Sequence, residues 1–390
     1  MAVLAGQNMT SSYDSLGIYI HIPFCMKKCS YCDFYSITDS SLKEAYTQSI
    51  IQDIESKKSA NNQVDTLYIG GGTPSVLCEQ QMSQIINACY RSFHFIHQPE
   101  ITIEINPGTI TPSRLKFYSQ CGINRLSIGI QSFNDHHLKF LGRIHSAKQA
   151  FEIYDQSRNA GLSNISIDLI FGIPGQTLSD WKMDLQTAIS LHPEHLSCYS
   201  LSYEPGTPLF KKQKQGKFTP LSDKYVAQMM RSSRHMLTVN GYTPYEISNY
   251  SRTSSFRSRH NMKYWTGEPY IGIGAAAHSF YNNQRYWNFR SVKAYIKAIQ
   301  FMQSPTEDSE CLTMQQQLIE WIYLSLRQQS GIDIKACERK FHINFFEQFS
   351  PVIQKYIQLN LLSIMNHFCY LTDKGVIFLD GIVREFVDQC

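Results

Sequence analysis

The chain has 390 residues, a net charge of +4, 43% hydrophobic residues and eleven cysteines. That length suits one large domain with a smaller one, and the apolar share is that of a globular protein with a large core. So small a charge excess argues against a general nucleic-acid binder. An odd number of cysteines, most of them scattered singly, argues against a disulfide scaffold and for a reducing compartment.

Residues 1–15 hold a four-residue apolar run without a basic start, which speaks against a secretory signal. No stretch approaches the roughly 20 apolar residues of a membrane span, so a cytoplasmic protein is expected. A repeating unit follows. Strand-like runs at 18–22, 66–69, 101–105, 125–130, 164–170 and 195–202 alternate with amphipathic stretches at 41–57, 78–93, 111–121, 147–161 and 178–191. Six βα units in a row predict an α/β fold with a parallel sheet, a partial (β/α)6 TIM-type barrel. Its chemistry belongs at the C-terminal ends of the strands. The unusual residues fall there: a cysteine triad after the first run, Gly70, Gly71, Gly72, Thr73 and Pro74 after the second, Glu104 in the third, Gln131 after the fourth, Asp168 in the fifth and Glu204 after the sixth.

Beyond residue 210 the pattern changes. Residues 211–217 read as a basic surface turn, 256–286 are rich in aromatics, Gly and His, and 304–309 read as a polar linker. Helical stretches at 312–328, 333–341 and 345–359, a hairpin at 362–364 and 369–372, and a last helix predict a small winged-helix-like domain. The expected division is a core over 1–210, a connecting region over 211–303 and a helical domain over 304–390.

Cys25, Cys29 and Cys32 sit in a loop directly after a strand. Three thiolates at that spacing can each bind a different iron of a [4Fe–4S] cubane, leaving the fourth iron open to chelate an amino acid. A zinc loop or three unrelated cysteines are the alternatives, although zinc favours a set of four ligands. A glycine run after a strand lets backbone approach a ligand closely, but tight turns use the same residues. Glu104, Gln131, Arg143 and Asp168, taken singly, read equally well as structural or solvated polar groups.

The string His21-Ile22-Pro23-Phe24-Cys25-Met26-Lys27-Lys28-Cys29-Ser30-Tyr31-Cys32 resembles the radical-SAM signature. More narrowly it resembles the branch that holds oxygen-independent coproporphyrinogen III dehydrogenases and haem chaperones of the HemW type. Blocks at 70–75, 124–133, 141–143, 167–174, 204–208, 260–265 and 371–375 extend the resemblance over nearly the whole chain from residue 17. It implies that Cys25, Cys29 and Cys32 hold the cluster and that S-adenosylmethionine lies on it. Gly71, Gly72 and Thr73 would receive the methionine amino group. Glu104 and Arg143 would match its two charges, and Gln131 and Asp168 its ribose hydroxyls. Tyr19 and Tyr31 match aromatic contacts near the cluster, and Ser202 an adenosine contact.

Three features separate the two relatives. Position 34 is Phe, where the dehydrogenase pattern carries a further cysteine. The strand before the triad starts near residue 18, without the extension that covers the dehydrogenase cavity. His260-Asn261-Met262-Lys263-Tyr264-Trp265 fits the His-Asn-x-x-Tyr-Trp motif of HemW-type proteins. Imidazole is a common haem ligand, so His260 is the first candidate for haem contact and His278 the second. Tyr264 and Trp265 could lie against the porphyrin, and Arg252, Arg257 and Arg259 could pair with propionates. Alanines at 275–277 stand where relatives often keep glycine, which puts the loop path there in question. The expected function is haem carriage to haem-dependent membrane or respiratory proteins, without coproporphyrinogen oxidase activity and without nucleic acid. A peripheral membrane contact is compatible with that role, and the oligomeric state stays open. The alternatives are oxidative decarboxylation of coproporphyrinogen III, or radical-SAM chemistry on another small molecule.

Overall fold

The computed structural model describes residues 15–390, so an N-terminal leader, which concerns residues 1–14, lies outside the described residues. Strands β1 (Leu16–Ile22), β2 (Ser59–Gly71), β3 (Phe93–Ile105), β4 (Arg125–Gln131), β5 (Ile165–Phe171) and β6 (His195–Ser200) open the fold. Helices α1 (Lys43–Ser56), α2 (Glu79–Ser92), α3 (Pro112–Gln120), α4 (Asp135–Leu141), α5 (Ala147–Asn159) and α6 (Leu178–Ser190) connect them. The six strands are parallel and lie side by side in chain order. This is the expected α/β architecture, a partial (β/α)6 TIM-type barrel.

The strands form because apolar residues recur at every second position. Ile18, Ile20 and Ile22 on β1, Ile101, Ile103 and Ile105 on β3, and Leu126, Ile128 and Ile130 on β4 are each at most 3% exposed. They join the core under the helices. Burying one such side chain stabilises the fold by about 1.5–3 kcal/mol. The alternate positions, such as Tyr19, Tyr68, Glu104, Arg125, Asp168 and His195, point the other way and line a cavity. The barrel interior is therefore polar, not filled by branched side chains as in a closed barrel. The helices have clear starts: Ser146 and Gln149 form a capping box on α5, and Thr177 and Asp180 one on α6.

The connecting region is built into the same sheet. Helices α7 (Pro208–Lys214) and α8 (Asp223–Val239) precede β7 (Thr243–Pro244) and β8 (Asn249–Ser251), and β8 runs antiparallel to β6. Helix α9 (Arg259–Thr266) leads to β9 (Tyr270–Ile273), parallel to β1 on the opposite edge. Strands β10 (His278–Tyr281) and β11 (Gln284–Asn288) continue it antiparallel, then helix α10 (Val292–Gln300) and β12 (Thr306–Cys311) follow. Twelve strands thus share one sheet among the described residues. Two expectations are corrected. The basic segment read as a turn is mostly helix α7, started by the Thr207 hydroxyl and by proline in its first turn. The polar segment read as a linker is mostly edge strand β12. Its residues face water, so it lacks the apolar alternation that marks a buried strand.

The C-terminal unit comprises α11 (Met314–Arg327), β13 (Ile332–Asp333), α12 (Ile334–Phe341), α13 (Phe345–Gln358), β14 (Leu362–Met365), β15 (Phe368–Leu371) and α14 (Leu379–Val387). Three helices and a hairpin whose strand β15 also pairs with β13 give the winged-helix order. It has its own core around Phe345, Phe349 and Phe386. It docks on the barrel through Arg327, 2.9 Å from the carboxylate of fully buried Glu246, and through Gln328, which donates to the Trp265 carbonyl at 2.9 Å. No helix among the described residues is long and apolar enough to cross a membrane.

Candidate functional site

The cysteine loop leaves the C-terminal end of β1 and is tied down on several sides. Cys25 N–H donates to Ile37 O at 2.9 Å, the Ser30 hydroxyl to Leu141 O at 3.1 Å, and Leu209 N–H to Ser30 O at 2.8 Å. All three thiols are partly exposed. Two carry donors from the barrel: the Thr73 hydroxyl lies 3.5 Å from Cys25 Sγ, and Arg143 Nη1 lies 3.4 Å from Cys29 Sγ. Such donors stabilise sulfur as thiolate once a metal is bound. Burial, together with the other two thiols, pushes Cys32 up to about 11. Among the described residues no three His, Cys, Asp or Glu side chains gather around one point as a single ion would need. A cubane that takes one thiolate per iron does not need that.

A cavity of about 1210 Å³ opens over this loop and runs down the barrel interior. Of the expected contacts, Tyr19, Tyr31, Cys32, Gly71, Gly72, Thr73, Glu104, Gln131, Arg143, Asp168 and Ser202 all line it. Each is delivered by a strand end or the loop behind it. Gly71 has φ +108, and a Cβ there would come within 2.5 Å of the His21 ring, so only glycine fits. Its N–H donates to Glu104 Oε2 at 3.0 Å, and the Tyr68 hydroxyl donates to Oε1 at 2.8 Å. Burial nevertheless pushes Glu104 up to about 7. A cationic ligand beside it would restore the carboxylate. Gln131 adopts a left-handed φ of 70 at an irregularity in the β4–β5 register. Such strain gathers at binding sites. Arg143 donates to Gly129 O at 2.6 Å and Asn106 Oδ1 at 2.8 Å, while its buried Nε has no partner among the described residues. Asp168 accepts from the hydroxyls of Ser127 at 2.7 Å and Ser166 at 3.1 Å. A buried carboxyl needing a cation, an orphaned guanidinium N–H and a glycine cradle fit the zwitterionic end of S-adenosylmethionine.

His260 is not on this wall. It is 1% exposed at the start of α9, with Nδ1 2.8 Å from the Thr66 hydroxyl and Nε2 2.9 Å from the Tyr264 hydroxyl. Burial lowers it to about 3, so the ring is neutral. Both nitrogens are taken, which corrects its expected haem contact: the imidazole holds Tyr264 in place. The rest of the motif does reach the cavity, through Asn261, Tyr264 and Trp265. The arginines expected for propionates are corrected too. Arg252 donates to Pro193 O, Arg259 to Gln98 O, and Arg257 lies over the Tyr245 ring. The cavity arginines are Arg125, Arg143, Arg290 and Arg327. The alanine segment keeps its turn by placing Ala276 at φ 61.

Tyr68, Arg125 and His195 are cavity residues to which the sequence assigned no role. Arg125 is 1% exposed, and its buried Nε has no hydrogen-bond partner among the described residues. His195 bridges the hydroxyls of Ser166 and Tyr245 at 2.8 Å each. The signal that finds them is the strand alternation itself, in which polar residues at 125, 127 and 131 and a glycine at 129 oppose apolar ones at 126, 128 and 130.

The chain matches the Radical SAM superfamily over residues 19–188 and the HemN C-terminal domain over residues 312–378. It is 35% identical to the heme chaperone HemW of Lactococcus lactis, over 95% of this chain and 96% of that one. It is 33% identical to the heme chaperone HemW of Bacillus subtilis, over 95% and 99%. Its fold is similar to the solved structure of coproporphyrinogen III oxidase (HemN) from Escherichia coli. That match has a TM-score of 0.83 and 23% identity, and covers 96% of this chain and 90% of that one.

Proposed function

Since the chain belongs to the HemW family of radical SAM proteins, we propose that it is a haem chaperone that binds haem, a [4Fe–4S] cluster and S-adenosylmethionine and delivers haem to haem-dependent membrane or respiratory proteins. One observation carries this reading. A single cavity joins a polar wall over the cysteine loop to aromatic side chains of Tyr264, Trp265, Tyr270 and Trp287, and Arg290, without a carboxylate partner among the described residues, lines it as well. A flat apolar macrocycle with carboxylate arms suits these side chains. Its charge and its apolar face are both answered there.

In this reading Cys25, Cys29 and Cys32 bind three irons. Glu104 takes the methionine ammonium, Arg143 its carboxylate, and Asp168 and Gln131 the ribose. A cluster held by these thiolates would supply one-electron reduction of the sulfonium, and the barrel residues would keep water from the reacting groups. Phe34, 68% exposed at the cavity mouth, supports carriage over porphyrinogen oxidation, because the dehydrogenase pattern has cysteine there. Free thiols throughout suit the reducing cytoplasm as the place of work.

The test is anaerobic reconstitution of the cluster, then haem binding and coproporphyrinogen III conversion measured on one preparation. Stable haem binding without propionate-to-vinyl conversion is expected. Conversion by a preparation that does not retain haem would establish the dehydrogenase reading instead.

A further inference from the structure

An imidazole that binds haem iron needs a nitrogen free of hydrogen bonds, access to a cavity that admits the macrocycle, and a neutral ring. Three histidines line the cavity. His21 has Nδ1 3.0 Å from the Tyr19 hydroxyl and Nε2 2.9 Å from Tyr35 O. His195 has both nitrogens engaged by hydroxyls. His278 is exposed to the cavity, and its ring forms no hydrogen bond among the described residues.

Its surroundings are ordered in a way a spare surface histidine would not require. His278 opens β10 and stands directly opposite Trp287 on β11. Cross-strand partners share a face. The two rings stack with centroids 5.7 Å apart and planes 28° from parallel. That contact sets the orientation of the imidazole while leaving its edge open. Partial burial, with Arg285 nearby, holds the ring below the usual histidine range, against the opposite pull of Glu310, so it is neutral at neutral pH. Arg290 lines the same cavity three residues beyond Trp287, exposed, with no carboxylate partner among the described residues. Its guanidinium sits 5.8 Å from the Tyr35 ring centre. A cation without a carboxylate partner and a free imidazole in one cavity are the pair of groups that a haem propionate and its iron would require.

Resting on the haem-carrier reading, we propose that His278 is the axial iron ligand, with Trp287 as a positioning residue for its ring and Arg290 as the partner of one propionate. Haem then occupies the β9–β11 side of the cavity. Strands β1 and β2 separate it from Glu104 on β3.

The test is a haem titration of the reconstituted protein and its variants, read by Soret position, electron paramagnetic resonance and affinity. The wild type is expected to show a histidine-ligated spectrum. His278→Ala should lose that signature and weaken binding at least tenfold, and added imidazole should restore the spectrum. Trp287→Leu should perturb the spectrum more than the affinity. His260→Asn, which loosens Tyr264, should weaken affinity yet keep the histidine signature, with iron content and melting curves checking that each variant is folded. A wild type that binds haem alongside an unchanged His278→Ala spectrum would overturn the ligand and leave the carrier reading intact. A wild type that does not bind haem would remove both.

Discussion

Replacing Glu104 with glutamine isolates the electrostatics of the polar wall. Burial raises this carboxyl from its ordinary 4.5 to about 7, with Tyr68 and Gly71 donating to it and Arg125 partly offsetting the shift. The folded state holds the proton more tightly than the unfolded chain. Below pH 4.5 both are protonated and the site costs nothing. As pH rises from 4.5 through 7 the native protein loses stability, and above 7 the loss is complete. A shift of 2.5 units (7 − 4.5) corresponds to at most about 3 kcal/mol, and water in the cavity lowers that to about 1–2 kcal/mol. The amide introduced by Glu104→Gln can still accept from Gly71 N–H and donate to the Tyr68 hydroxyl. Glu104→Gln protein without cluster should therefore come closest to wild type in urea unfolding near pH 4 and exceed it by about 1–2 kcal/mol at pH 8.5. Its affinity for S-adenosylmethionine should fall at least tenfold, since the ammonium loses its counter-charge. A stability difference that does not change with pH would refute the assigned cause, and full ligand affinity would refute the assigned role.

Replacing Cys25, Cys29 and Cys32 together with alanine should abolish the brown chromophore of anaerobic protein; iron staying near about four per chain would exclude these thiols as the ligands. Gly71→Ala should lower the melting temperature by forcing a methyl group against His21 at an unfavourable φ, with a cost of about 1–2 kcal/mol or more; an unchanged melt would mean the loop moves freely. Arg327→Ala should strand the fully buried Glu246 carboxylate. About 3 kcal/mol of stability should be lost, and the C-terminal unit should become protease-sensitive before the barrel does. Ile128→Ala should cost about 2–5 kcal/mol in denaturant unfolding, against about 1 kcal/mol for its neighbour Ser127→Ala on the opposite face; equal costs would contradict the assigned division of the strand.

The barrel was legible because its strands and helices repeat on different periods, and the cysteine loop because its spacing has few uses. The glycine run and Glu104 could be placed at the right end of the right strands. Direction was harder. The motif around His260 names residue types but not the face of the helix on which each lies, and the ring turned inward to Thr66. Arg252, Arg257 and Arg259 are close to it in sequence, yet the cavity drew Arg290 and Arg327 from distant segments instead. Strand β12 carried no apolar signal because neither of its faces is buried. Tyr68, between Leu67 and Ile69, and Arg125, between Asn124 and Leu126, were hidden in plain alternation, where a polar residue beside an apolar one reads first as a solvent-facing one.

The division of the barrel strands into an apolar outer row and a mainly polar inner row has a consequence for how such a chain can change. Most of its foldedness resides in side chains that touch no ligand, and its ligand preferences reside in side chains whose changes cost less than those of the outer row. Lineages can therefore rewrite the interior, one inward position at a time, without passing through an unfolded ancestor. A protein engineer has the same freedom: the inner rows of β4, β5 and β6 are a rewritable surface on a scaffold whose integrity is guarded from the other side.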